Sequence, residues 1–234
     1  MVKVKIEHYA EKDVQYGEDQ WDLLKSFRIQ AMKIAAIFHT RNIDTLTYGS
    51  VARGDVKPTS DIDIIVCSQI PSFQLELMLE EFQIPIHSRK IVQATPNDVI
   101  KANYEIEENI CLTLPLTQFT SMPYEFYRFG GAVSHEQLAK NIRVPGVDKR
   151  LMLIEPRPFE HHEVSLLDRL VGAGKLIGVS QAMVEQRVRV LSRRDKIGRT
   201  GVFLNYEVRD FENIEEALQN VAKSNRLVRR RLQL

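Results

Sequence analysis

Between Asp19 and Phe38 apolar residues recur at helical spacing, with Trp21, Leu24, Phe27, Ala31, Ile34 and Phe38 on one face. The spacing predicts an amphipathic helix packed on a sheet. Thr45-Leu46-Thr47-Tyr48 reads as a short strand, and Asp61–Cys67 as a second one whose apolar run is opened by two carboxylates. A helix from Pro71-Ser72 to about Phe82 follows through Leu75 and Leu79. Next come a His87–Ala94 strand, a short helix near Pro96–Ala102 and a Glu105–Leu116 strand. Helices alternating with strands predict an α/β or α+β core.

The second half of the chain has a different texture. Tyr124, Phe126, Tyr127 and Phe129 cluster before Gly130-Gly131, and Arg143, Lys149 and Arg150 surround a Pro145-Gly146 turn. Aromatic rings and cations together suit a base and its phosphates; an aromatic core patch beside a solvated turn gives the same pattern. Residues 163–208 have the outline of a winged helix-turn-helix. A helix over Glu163–Lys175 leads to a turn at Ile177–Ser180, Ser180 caps a second helix carrying Arg187, Arg189, Arg193 and Arg194, and Val202–Tyr206 supplies a wing. His161-His162 reads as surface loop. Asn213 with Glu216 three residues on opens a last helix, running to Leu232. The expected domains are therefore 1–158 and 159–234.

Composition narrows the class. The 234 residues are 44% hydrophobic and 27% charged, as in an ordinary globular protein, and no apolar run approaches a membrane span. The two cysteines, Cys67 and Cys111, sit in apolar runs and have no metal-ligand spacing, which predicts reduced thiols in a cytoplasmic protein. The N-terminus, Met-Val-Lys-Val-Lys-Ile-Glu-His, alternates like a strand and lacks a signal-peptide core. The net charge is only +1, yet residues 185–234 hold 12 Lys/Arg against 7 Asp/Glu. That basic end points to an anionic partner, RNA or DNA, contacted first through phosphates. Self-association is left open.

The chemistry concentrates between Tyr48 and Val66. In an extended strand Asp61 and Asp63 point to the same face, while Ile62 and Ile64 point to the other. Two carboxylates about 5 Å apart repel by roughly 3 kcal/mol at an effective dielectric of 20. Hard divalent cations remove that conflict, and magnesium commonly takes one or two carboxylates together with substrate phosphates. Upstream, Gly49 allows close approach to the backbone, Ser50 offers a hydroxyl where a short helix begins, and Arg53 follows within one turn. Small-residue turn and acidic pair together describe a phosphate-and-metal site.

Gly49-Ser50, ten residues, then Asp61-Ile62-Asp63 resembles the signature of the polymerase-β-like nucleotidyltransferase superfamily, and its spacing is most similar to the minimal nucleotidyltransferases. The match covers about residues 43–67. The resemblance implies a nucleotidyltransferase core, a small mixed sheet with flanking helices, reaching to about residue 118. It places Gly49 and Ser50 at the phosphates of a nucleoside triphosphate, ATP above all, and makes Asp61 and Asp63 ligands of two Mg2+ ions. It also implies transfer of a nucleoside monophosphate to an acceptor hydroxyl. The family's third acid, on a later strand, has no counterpart in residues 84–92; the candidates are Glu105, Glu107 and Glu155. Two other readings stay beside the enzyme. One is a nucleic-acid-binding regulator that senses nucleotide, and the other an antitoxin-type partner of a helical toxin, as minimal nucleotidyltransferases are.

Overall fold

The apolar stripe of residues 19–38 is a helix in the computed structural model, which describes residues 6, 11–107, 109–118, 124–198 and 201–232. Strand β1 (Glu11–Gln15) precedes helix α1 (Glu18–His39), whose Leu24, Phe27, Ala31, Ile34 and Phe38 are buried. Glu18 and Asp19 occupy its first turn, where negative charge suits the helix dipole. Strand β2 (Thr45–Tyr48), the single turn α2 (Ser50–Arg53), β3 (Ile62–Val66), α3 (Ser72–Glu81) and β4 (Ser88–Gln93) follow the expected order. The alternating N-terminal residues 1–5 and 7–8 lie outside the described residues.

Two expectations fail next. Residues 96–98 form a turn rather than a helix, and the chain then enters β5 (Lys101–Glu107). The predicted Glu105–Leu116 strand instead spans the turn of a hairpin, from the end of β5 into β6 (Ile110–Pro115), with Asn109 at φ 63° just before β6. Asparagine tolerates that left-handed conformation better than most side chains. Apolar residues lie at alternate positions on both sides of a short polar stretch, Glu107-Glu108-Asn109, so the two strands read as one when that stretch is taken for an exposed part of a single strand.

Helix α4 (Glu125–Phe129), β7 (Ala132–Ser134) and α5 (His135–Ala139) come next, and then β8 (Gly146–Val147), β9 (Met152–Arg157) and β10 (Glu160–Ser165). The Pro145-Gly146 turn is thus the start of a buried strand. Residues 163–165 belong to β10 and not to a helix, so α6 (Leu170–Ile177) is shorter than expected. Gly178 in the left-handed region ends α6, and Ser180 caps α7 (Gln181–Ile197), its Oγ accepting the Met183 N–H. The winged helix-turn-helix is not confirmed. β11 (Leu204–Val208) pairs antiparallel with β4 instead of forming a wing beside α7. The last helix breaks at Asn225 into α8 (Ile214–Ser224) and α9 (Arg226–Leu232), because the Asn225 Oδ1 accepts the N–H groups of Leu227 and Val228.

The chain forms two compact units, each gathered from separated stretches: residues 1–33, 47–62 and 123–200, and residues 34–46, 63–122 and 201–234. The first contains the antiparallel sheet β1-β10-β9-β8. Its core joins Phe129, Val147, Leu153 and Val164 to Ile177, Val184 and Leu191 from α6 and α7. In the second, strands run in the order β11-β4-β5-β6-β3-β2 within a mixed sheet. Tyr104 and Arg89 reach Glu76 of α3, so that helix covers one sheet face, with Ala102, Tyr104, Ile106, Leu112 and Leu114 fully buried. Register puts Lys90, Asn103 and Thr113 on the other, polar face. The architecture is mixed α/β, as the alternation of elements implies. No described helix is long and apolar enough to cross a membrane.

Candidate functional site

Gly49 closes β2 with φ 85° and ψ −146°, a combination that side chains essentially forbid, and hands the chain directly to α2. Its N–H donates to the Gly131 carbonyl (2.8 Å), while its own carbonyl accepts from Ala52 and Arg53 (3.1 Å each). Among the described residues the N–H groups of Ser50 and Val51 meet no protein acceptor. The Ser50 side chain is half-buried beside them. Such a turn offers two backbone donors and a hydroxyl, which is what phosphate oxygens require.

Two arginines hold the turn from inside. Arg53 is buried; its Nη1 donates to the Gly130 carbonyl (2.5 Å) and its Nη2 pairs with Asp55 (2.9 Å). This guanidinium therefore works as a brace between α2 and the Gly130-Gly131 segment, and not as the free fork that its place in the motif suggests. Arg28 projects from the buried face of α1 and donates to the carbonyls of Val51, Ala52 and Ile142 at 2.9–3.2 Å. It caps the end of α2, where carbonyls lack helical partners. Burial and the neighbouring Arg143 bring the Arg28 guanidinium down to about 10. Gly146 completes the brace, since a Cβ there would collide with the Gly131 N atom. Sequence reasoning missed Arg28, although a lone arginine inside the apolar stripe was a usable signal.

Asp61 is exposed just before β3, Ile62 is buried, Asp63 is half-buried within β3, and Ile64 is buried. That alternation is the pattern expected of two carboxylates sharing one face of a strand. Hard oxygen donors spaced in this way suit magnesium.

The candidate third acids are dispersed. Glu105, exposed on β5, accepts from Ser88 Oγ (2.7 Å) and pairs with Lys90 (3.0 Å). Those hydrogen bonds hold its carboxyl below the usual range, which opposes a role as proton acceptor. Glu107 ends β5 at an irregularity of the β5–β6 ladder. Glu155 lies on β9 in the first unit and pairs with Arg169 (3.5 Å). On β6, the strand next to β3, stand Cys111 and Thr113 but no carboxylate, and Thr113 Oγ1 donates to Asn103 Oδ1 (3.2 Å).

His161 and His162 are not on a surface loop. Both are buried in β10, satisfied by polar neighbours rather than by a metal. His161 Nδ1 meets the Tyr16 hydroxyl (2.7 Å), and its Nε2 meets Glu163 (3.0 Å), which also pairs with Arg150 (2.9 Å) and Lys12 (3.2 Å). Burial raises the Glu163 carboxyl, but His161, Arg150 and Lys12 together hold it well below the ordinary value. Its stabilisation is thus complete above the unfolded carboxylate range, about pH 4.3, and is lost as acid protonates it. Glu163→Gln is expected to lower the melting temperature at pH 7 through loss of roughly 3 kcal/mol, with the gap to the parent closing on acidification. Melting curves from pH 7 down to pH 3 check this. Arg143, from the predicted cationic turn, stacks on Tyr16 (5.2 Å) and Trp21 (4.9 Å) and touches Gly54. Half of the aromatic cluster is core, with Tyr127 and Phe129 buried and Tyr127 edge-on to Tyr48 at 4.8 Å, while Phe126 is exposed.

Residues 31–113 match the family model of the nucleotidyltransferase domain. The match includes Gly49, Ser50, Arg53, Asp61, Asp63, Glu105 and Glu107, leaves out Glu155, and takes in well under half of the chain. No curated protein and no solved structure is significantly similar. The glycine-serine turn, the Asp-x-Asp segment and strands β2 to β5 all lie inside the matched stretch, so residues 31–113 are similar to a nucleotidyltransferase domain.

Proposed function

We propose that the chain is a magnesium-dependent enzyme moving a nucleoside monophosphate from a nucleoside triphosphate, ATP the expected donor, to an acceptor hydroxyl. The observation that carries this is the Gly49-Ser50 turn, with unmatched N–H donors, in a matched stretch that also carries Asp61 just before β3 and Asp63 on it. In this reading Ser50 and the adjoining amides hold the β- and γ-phosphates, and Asp61 and Asp63 hold two Mg2+ ions. When bound, magnesium lowers the pKa of the attacking hydroxyl and neutralises charge on the departing pyrophosphate. Arg53 and Arg28 act through the backbone, keeping the turn in its strained form, so that catalysis rests on orientation and charge compensation. Incubation with α-labelled ATP, Mg2+ and bulk RNA or cell extract tests the proposal. Label should move to an acceptor, and Asp61→Asn should stop it.

The absence of a carboxylate on β6 favours one second reading, a regulator that binds nucleotide without transferring it. Magnesium-dependent nucleotide binding with no label transfer to any acceptor identifies that case. Under either reading Ser50→Ala should weaken nucleotide binding by about 0.5–1.5 kcal/mol, the worth of one hydrogen bond. Isothermal titration of the parent and the variant measures it. Equal affinities would remove Ser50 from the site.

A further inference from the structure

Helix α7 is 17 residues long, about 25 Å, and crowds five cations into its last eleven positions. Arg189, Arg193 and Lys196 recur at spacings of four and three on one exposed face, with exposed Arg194 beside them. Arg189 and Arg193 repel each other at i,i+4, which weakens a helix by a few tenths of a kcal/mol. The helix dipole welcomes Arg194 and Lys196 near the C-terminus but does not account for Arg189.

The inner side of α7 is fixed in place. Arg187 lies over the rings of Phe126 (4.7 Å) and Phe129 (5.8 Å) of α4, where burial and Arg194 lower its guanidinium to about 10. Glu125 of α4 accepts both the Ser180 N–H (3.0 Å) and the Ser180 hydroxyl (2.7 Å), tying the start of α7 to the same segment. That segment continues into Gly130-Gly131, whose carbonyls receive Arg53 and the Gly49 N–H. A rigid basic face is therefore built onto the element that braces the glycine-serine turn, all within the first unit.

We infer that the outer face of α7, formed by Arg189, Arg193, Arg194 and Lys196, is a nucleic-acid-binding surface that grips a phosphodiester backbone. A helix that presents cations at one-turn intervals neutralises successive phosphates, and binding through them needs no particular base sequence. The surface is independent of nucleotidyl transfer, because it uses neither Asp61 nor Asp63, and its test contains no nucleotide.

The test is fluorescence anisotropy with the full chain and labelled mixed-sequence oligonucleotides, single-stranded RNA, single-stranded DNA and a DNA duplex, from about 50 to 200 mM salt. Three or four phosphate contacts predict a log–log salt slope of about −2 to −3.5. The triple variant Arg189→Ala/Arg193→Ala/Lys196→Ala should bind about tenfold or more weakly at low salt, with a slope flattened by about 2. Circular dichroism should show its helix content unchanged, these side chains being exposed. Arg226→Ala/Arg230→Ala, which removes exposed cations from α9, should bind like the parent. Which oligonucleotide binds tightest distinguishes RNA from DNA as the natural occupant. No binding by the parent at low salt, equal affinity and slope in the α7 variant, or equally tight binding of poly-glutamate each overturns the inference.

Discussion

Asp63→Asn is expected to abolish nucleotidyl transfer while leaving the fold intact. Asparagine keeps the shape of the side chain and its place in β3, so the packing of Ile62 and Ile64 on the other strand face is undisturbed. What it removes is a negative charge and one hard oxygen donor. A site built to compensate charge at a transferring phosphoryl group loses roughly 100-fold or more when such a partner is neutralised. Removing one of two neighbouring like charges also relieves repulsion, so the melting temperature without metal should be unchanged or higher. Label transfer from ATP, together with melting curves with and without Mg2+, reads both effects. Activity near that of the parent would sink the metal-holding role of Asp63.

Arg28→Ala is expected to give a large stability loss, comparable to that of Glu163→Gln. The guanidinium satisfies the carbonyls of Val51, Ala52 and Ile142 at once, from a site only 5% exposed. Truncation strands the Val51 carbonyl and opens a void beside α2, while the Ala52 carbonyl keeps the Val144 N–H (3.2 Å) and Ile142 is exposed. Each buried group left unpaired costs about 1–3 kcal/mol, and relief of the repulsion from Arg143 returns part of it, so the net loss is about 3 kcal/mol. For a chain of this size that corresponds to a fall in melting temperature of roughly 6–12 °C. Arg28→Lys should recover little, because an ammonium lacks the planar fork that reaches several carbonyls. A shift under about 1 °C would show that the three bonds do not matter to the fold.

Much of this was legible in advance. The helix at 19–38 and the strand opened by Asp61 follow from local alternation, since period 3.6 or 2 in apolar residues sets which face can be buried. Ser180 as a cap and Gly178 as a helix stop were legible too, because each acts on backbone within three residues of itself. The turn at Asn109 was not, as the polar stretch Glu107-Glu108-Asn109 also suits the exposed side of one long strand, and the left-handed φ of Asn109 is not visible in the pattern. Nor was β10, where His161, His162 and Glu163 look like surface residues and are buried. Their burial is tolerable because Tyr16, Asp13, Arg150 and Lys12 supply partners from strands and loops distant in sequence.

The amino-acid sequence by itself determined the chemistry on offer: a glycine-serine turn, a pair of carboxylates two residues apart, and a basic stretch near the end. Tertiary structure decided what each charged group does. It gave Arg53 the Gly130 carbonyl and Asp55 as partners, so that it braces the turn, recruited Arg28 to the end of α2, and placed Glu105 and Glu107 on β5 but Glu155 on β9. Backbone torsion and side-chain alternation are encoded within a few residues, whereas the partner of a buried charge is set by which remote segment folds against it.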